Sequence, residues 1–237
     1  MEVIRDIEKW DFAGSSIVTI GTFDGVHLGH KRILHRLNEL KTDINQKTIV
    51  FTFEPHPRKV LFPDQTDLQL LSNLDEKIEL FKARNIDVLI VYPFTKEFAQ
   101  IEPEKFILEI LVEKLKVKTI VIGYDHKFGK DRRGDIGTFK IAAKKYGFEV
   151  EEIPAQEINE INISSTKIRK ALFEGDIKVA AEFLGYNYFI SGTVVHGKKM
   201  GKTISFPTAN ISISDADKLI PKNGVYLVSV EVEDFKG

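Results

Sequence analysis

Four short segments that are apolar throughout, residues 16–23, 48–53, 88–92 and 119–122, alternate with helical patterns over the first 153 residues. A strand covered on one face alternates apolar and polar side chains, whereas a strand covered on both faces is apolar along its length. Helical periodicity fills the gaps at 29–41, 73–84, 102–115 and 137–146, and a weaker fifth strand follows at 149–153. Ser72-Asn73 and Glu102-Pro103 read as helix starts, and Gly147 as a helix stop. The alternation predicts an α/β fold, a Rossmann-like parallel sheet with helices on both faces. Such sheets bind ligands at the carboxyl ends of their strands. Phe23-Asp-Gly-Val-His27, Glu54-Pro-His-Pro-Arg58 and Gly123-Tyr-Asp-His-Lys-Phe-Gly129 all fall there.

The first of these turns carries the strongest chemistry. The strand ending at Ile20 meets Gly21 and Gly25, and an amphipathic helix follows with Ile33, Leu34, Leu37 and Leu40 on one face. A helix start presents free N–H groups and a positive dipole end, which suits a phosphate. His27 and His30 stand three residues apart there and share a face, with Gly29 between them leaving room for close approach. Two imidazoles at a phosphate-binding helix end predict phosphoryl or nucleotidyl chemistry. A zinc site is the weaker rival, because a third ligand such as Asp24 has to fold back. Asp24 reads either as a magnesium-placing residue or as a turn former.

Ser164, Ser165 and Thr166 form a second helix start, with Arg169 one turn on. By itself this is equally an ordinary cap or a phosphate site; beside the histidine turn the phosphate role is favoured. Arg132, Arg133 and Asp135 make a charged loop that is either solvated surface or a phosphate-facing lid.

From Tyr188 onward the pattern changes to short β segments at 188–195, 210–212 and 225–232, with a glycine-rich turn at 197–201. Two domains are therefore expected, 1–185 and 186–237. The last apolar strand runs into the turn signal Asp234-Phe-Lys-Gly237, so an incomplete second module is expected. The 34 basic and 35 acidic side chains give no electrostatic case for nucleic acid or a membrane surface. The absence of cysteine excludes disulfides, thiol nucleophiles and thiolate metal sites. Met1-Glu-Val-Ile-Arg-Asp6 is unlike a signal peptide, and a cytoplasmic enzyme with small-molecule partners is expected.

Gly21-Thr-Phe-Asp-Gly-Val-His-Leu-Gly-His30 resembles the HxGH signature of the nucleotidyltransferase superfamily. Ile163-Ser-Ser-Thr-Lys-Ile-Arg169 resembles that superfamily's second phosphate-binding motif. The segment from Gly192 to Asn210, with Phe206-Pro-Thr-Ala-Asn210, is similar to the opening of the riboflavin kinase barrel. Their order resembles the bifunctional riboflavin kinase/FMN adenylyltransferase family, the prokaryotic FAD synthetases. The resemblance implies transfer of AMP from MgATP to FMN, giving FAD and pyrophosphate, and phosphorylation of riboflavin by the parent protein.

It further implies residue roles. His27, His30 and Arg169 are the catalytic expectation, and Gly21, Phe23, Gly29, Ser164, Ser165 and Thr166 the ATP-binding one. Phe53, Pro55, His56, Asp125 and Phe128 are expected near the flavin, although an aromatic such as Phe128 serves packing at least as often. The family's usual aromatic partner after the polar position is replaced here by His126. Thr208 and Asn210 are the implied Mg²⁺ positions of the kinase module. The kinase's acidic general base has no counterpart in this chain, so kinase activity is not expected of it. The rivals are a nucleotidyltransferase for another phosphate acceptor and a nucleotide-binding protein without catalysis.

Overall fold

Six strands form one sheet in the order β1–β4–β3–β2–β5–β6: Glu2–Ile4, Val88–Pro93, Gln46–Glu54, Ser15–Ile20, Val117–Gly123 and Glu149–Ile153. The computed structural model describes all residues except 66–67, 155–162, 198–207 and 233–237. Every pairing in this sheet is parallel. The chain steps one way from β2 to β3 and β4, then crosses back to β5 and β6. The order therefore reverses between β2 and β5, and the crevice outside their carboxyl ends is the expected ligand position.

Alternate strand residues feed two cores. Val18, Ile20, Ile49, Phe51, Ile90 and Ile122 face one layer, built on Phe106, Ile107, Leu111 and Phe139. Ile17, Val50, Leu89, Val91 and Val121 face the other, built on Ile33, Leu34, Leu37 and Phe81. Burial on both faces is the physical reason the strands read as continuous apolar runs. Helices α1 (Leu28–Glu39) and α3 (Leu74–Lys82) cover the second face. The first is covered by α4, Pro103–Lys105 running into a π-helical stretch at Phe106–Lys114, and by α5, Ile136–Tyr146. In the π-helical stretch the Leu115 N–H reaches the carbonyl five residues back, at Ile110, at 2.9 Å. A short helix α2 (Pro57–Leu61) follows β3, and α6 (Ser165–Glu174) and α7 (Ile177–Leu184) pack together in a third cluster with Leu71 and Leu219.

Several boundaries differ from expectation. The first apolar run stops being strand at Ile20, because Phe23 turns to φ 48° and leads into the site. Strand β1 has three residues, too few to show periodicity. Residues 57–61, after β3, are helical, with Pro57 in the first turn where its missing N–H is harmless. Beyond residue 188, β7 (Thr193–Val195) and β8 (Asn210–Ser212) pair antiparallel, and Lys218 makes a single parallel bridge to Leu70. The run expected as a strand at 225–232 is not one: Val225, Leu227 and Val230 are exposed, and no strand lies beside them among the described residues. The glycine turn ending at Gly201, Pro207 and the terminal Asp234–Gly237 turn lie outside the described residues.

Candidate active site

The turn after β2 is a tight knot of backbone contacts. The Gly21 N–H donates to the Phe51 carbonyl at 3.0 Å and Val26 N–H to Phe23 C=O at 3.1 Å. Phe23 and Val26 both hold positive φ, 48° and 36°, conformations that cost a side-chain-bearing residue about 1–3 kcal/mol each. Such strain persists only where surrounding contacts over-determine it, and here they do. The Gly25 N–H donates to Ser72 Oγ at 3.1 Å, and the Tyr186 hydroxyl donates to Gly25 C=O at 2.6 Å. A Cβ at Gly25 would sit 2.8 Å from Leu71 Cδ1, so only glycine fits.

Asp24 ties the turn to two distant segments. Its buried carboxylate accepts from the N–H groups of Leu71 (2.9 Å) and Ser72 (3.2 Å) and pairs with the Arg169 guanidinium. Arg169 also donates to the Gln69 carbonyl at 2.7 Å, and Ser165 Oγ donates to Asp24 C=O at 3.1 Å. Burial pushes the Asp24 carboxyl up, while Arg169, Lys77 and the two amides pull it back. Of the two readings of Asp24, the geometry matches the turn former.

His27 caps α1, its Nδ1 accepting the His30 N–H at 3.4 Å. The two rings stack with centroids 3.6 Å apart, and Phe23 meets His30 edge-on at 5.1 Å. Burial, then the Arg169 charge, lowers His27 to about 4. Burial, then His27 and Lys77, lowers His30 well below its ordinary value. His30 keeps some solvent contact as a residue, but its Nδ1 is sealed and has no hydrogen-bond partner among the described residues. Both imidazoles are thus neutral near pH 7. With its Nδ1 accepting, His27 carries its proton on Nε2, the atom free to donate to a ligand.

The other anticipated residues lie around this turn to different degrees. Gly29 is buried in the first turn of α1. Ser164 caps α6, accepting from Lys167 N–H at 3.3 Å, while Thr166 is exposed. The loops after β3 and β5 flank the turn because those strands flank β2. Phe53 packs on Phe94 and Phe51, Pro55 is exposed, and buried His56 caps α2 through Nδ1 to Arg58 N–H at 3.2 Å. Asp125 is exposed. One face of the Phe128 ring is taken by Phe139 at 4.3 Å, which is the packing alternative. Asp135 caps α5, and Arg133 pairs with Glu102 at 3.1 Å. Arg132, the remaining charged residue of that loop, is exposed. Thr208 and Asn210 are exposed and remote in sequence from the turn, Thr208 just before β8 and Asn210 its first residue. No group of three His, Asp or Glu able to hold a metal occurs among the described residues. A depression of about 480 Å³ lined by Glu2, Lys47, Asp87 and Val88 lies at the opposite, amino-terminal edge of the sheet and holds no motif residue.

Sequence reasoning missed Lys77, which is buried in the first turn of α3 beside this knot. Its signal was its register: it stands three residues after Leu74 and four before Phe81, inside the apolar stripe rather than on the solvent face.

The FAD synthetase family model matches residues 11–167, and the riboflavin kinase model matches 184–236. The chain belongs to the FAD synthetase family. Among relatives, the bifunctional riboflavin kinase/FMN adenylyltransferase of Buchnera aphidicola (from Acyrthosiphon pisum) is 40% identical, over 98% of this chain and 73% of its own length. That of Escherichia coli K12 is 35% identical, over 97% of this chain and 73% of its own. The crystal structure of a macrolide-efflux protein from Streptococcus pneumoniae superposes with a TM-score of 0.82 at 31% identity, covering 94% of this chain and 72% of that one. No helix among the described residues is long and apolar enough to cross a membrane.

The histidine environment of this FAD synthetase family member sets a pH dependence. Burial lowers His27 to about 4 and His56 to about 3, both below the ordinary 6.5. Between those values the unfolded chain binds protons that the folded histidines refuse, so stability falls as pH falls. Each such histidine contributes up to about 1.4 kcal/mol per pH unit inside its window. Urea unfolding at pH 7.5 and 5.0 should show the loss, and His56→Ala should flatten the slope. A slope unchanged in that variant would contradict the burial argument.

Proposed function

We propose that the turn at residues 21–30, with the loops around it, transfers the adenylyl group of ATP to FMN. An FMN phosphate oxygen attacks the α-phosphorus, the bond from that phosphorus to the β-bridging oxygen breaks, and pyrophosphate leaves as FAD forms. The observation that carries this reading is the stacked pair of neutral imidazoles at a helix start, set at the switch point of a parallel sheet. His27 and His30 donate to phosphate oxygens as charge builds on them, and the N-terminus of α1 adds its dipole. Gly21, Phe23 and Gly29 shape the cradle.

Arg169 has five guanidinium donors, and bonds to Asp24 and the Gln69 carbonyl leave others for the triphosphate. Ser164, Ser165 and Thr166 lie at the same helix end. Phe53, Pro55, His56, Asp125 and Phe128 line the flavin side. The Asp24 carboxylate is committed to two amides and Arg169, so the residues of this turn do not make a resident magnesium site; Mg²⁺ comes with ATP. Residues 1–185 hold this chemistry, and 186–237 are the riboflavin kinase part, with Thr208 and Asn210 as its phosphate and Mg²⁺ positions. The partners are small molecules, not nucleic acid or membrane, and the activity belongs in the cytoplasm.

Incubation with FMN, ATP and Mg²⁺ should yield FAD and pyrophosphate one for one. ATP binding without either product would overturn the reading.

A further inference from the structure

The first turn of α3 is held by two sets of contacts. Asn73 and Glu76 form a reciprocal cap at 2.8 and 3.1 Å, and Leu71 and Ser72 donate their N–H groups to Asp24. Lys77, the next residue in that turn, is only 4% exposed. Its obvious partner is taken: the Glu76 carboxylate is engaged by Lys218 at 2.6 Å, by the Ser191 N–H at 2.9 Å and by the Ser191 hydroxyl at 3.0 Å. No hydrogen bond or ion pair of the Lys77 ammonium occurs among the described residues.

A buried ammonium without a carboxylate is costly, and proteins keep one where something else neutralises it. Burial lowers Lys77 while the Asp24 and Glu54 carboxylates act against that, and its charge acts in turn on four groups. They are Asp24 in the turn, His30 on α1, and Glu54 and His56 at the end of β3. Asp24 is already committed to Arg169, and His30 and His56 are neutral. Glu54, the remaining carboxylate, makes no hydrogen bond or ion pair with Lys77 among the described residues, so no group pairs directly with the ammonium where the histidine turn and the loop after β3 converge.

We propose that Lys77 is a phosphate-binding residue of the adenylyl-transfer site, its ammonium contacting phosphate oxygens of the substrates between the His27–His30 turn and the loop after β3. This rests on the function proposed above. The chemistry is shared by two sources, the flavin monophosphate and the nucleotide triphosphate. The compact ammonium on a flexible stem serves either as a point charge.

The variant that tests it is Lys77→Met, which keeps the length of the stem and removes the charge. Removing a buried, unpaired charge leaves the melting temperature unchanged or raises it, whereas a lysine kept for structure lowers it. FAD formation, as kcat/KM, is expected to fall about 100-fold or more. A raised KM for FMN with unchanged pyrophosphate affinity assigns the flavin phosphate; weakened pyrophosphate binding, measured directly by calorimetry, assigns the triphosphate. Wild-type kcat/KM with both affinities intact overturns the proposal, and so does a variant that melts lower, whatever its activity. If the wild-type protein makes no FAD, the proposed function fails on its own account. The calorimetric comparison of wild type and variant with pyrophosphate and FMN then still decides Lys77.

Discussion

Replacing His30 by alanine should lower FAD formation by about 10²–10³-fold, the usual effect of removing one donor aimed at transition-state charge. The His30 ring is fixed from two sides, by the stack on His27 at 3.6 Å and the edge of Phe23 at 5.1 Å. Its Nδ1 is sealed without a partner among the described residues, and none of their contacts depends on a hydrogen bond from that atom. Alanine therefore removes a chemical group while leaving the cap intact, because His27 accepts from the backbone N–H of residue 30 and not from its side chain. The expected pattern is lost turnover with a melting curve close to wild type. Near-normal FAD synthesis by the variant would refute the role of the pair. A large loss of stability would show instead that the ring is chiefly a packing element.

The parts of this site that were legible in the sequence are those made by neighbours along the chain. Strand, glycine turn and helix start follow one another within residues 17–30, and the i, i+3 histidines need only a helix to share a face. The order of strands was equally legible in kind, since apolar runs between helices admit few other architectures. The pairs that hold the site were not. Asp24 and Arg169 stand 145 residues apart, and no local pattern says that the Ser164–Arg169 helix start lands on the first turn. Asp24 therefore read either as a magnesium-placing residue or as a turn former, and tertiary packing commits it to Arg169, Leu71 and Ser72. Phe128 illustrates the same limit: its loop position is visible in sequence, but its stack on Phe139 is not. At residues 225–232 local pattern overreached, because alternating apolar residues make a strand only when another strand supplies the ladder.

Lys218→Met should destabilise the protein by about 3–5 kcal/mol, the effect of removing one partner of a buried ion pair. Lys218 and Glu76 meet at 2.6 Å, with both side chains 1% exposed. The Lys218 ammonium also donates to the Leu71 carbonyl at 2.7 Å and lies 4.3 Å from the centre of the Tyr188 ring. Methionine fills the space but strands the Glu76 carboxylate in a dry environment, with only Ser191 and the Asn73 amide left to it. Adding Glu76→Gln should recover much of the loss, since the charge left behind is what costs. A double-mutant cycle by urea unfolding measures this directly; additive effects of the two changes would rule the coupling out. The consequence reaches the site. Lys218, Ser191 and Tyr188 belong to the segment matched to riboflavin kinase, yet they clamp the segment from Leu71 to Glu76, whose amides hold Asp24. Around it, Leu70 N–H donates to Asp217 C=O at 2.6 Å and Leu219 N–H to Leu70 C=O at 2.8 Å. The segment that follows the change of pattern at Tyr188 is thus tied by hydrogen bonds to the start of α3. FAD formation by the Lys218→Met variant should fall along with its stability, because the segment that fixes the histidine turn is itself fixed from the kinase side.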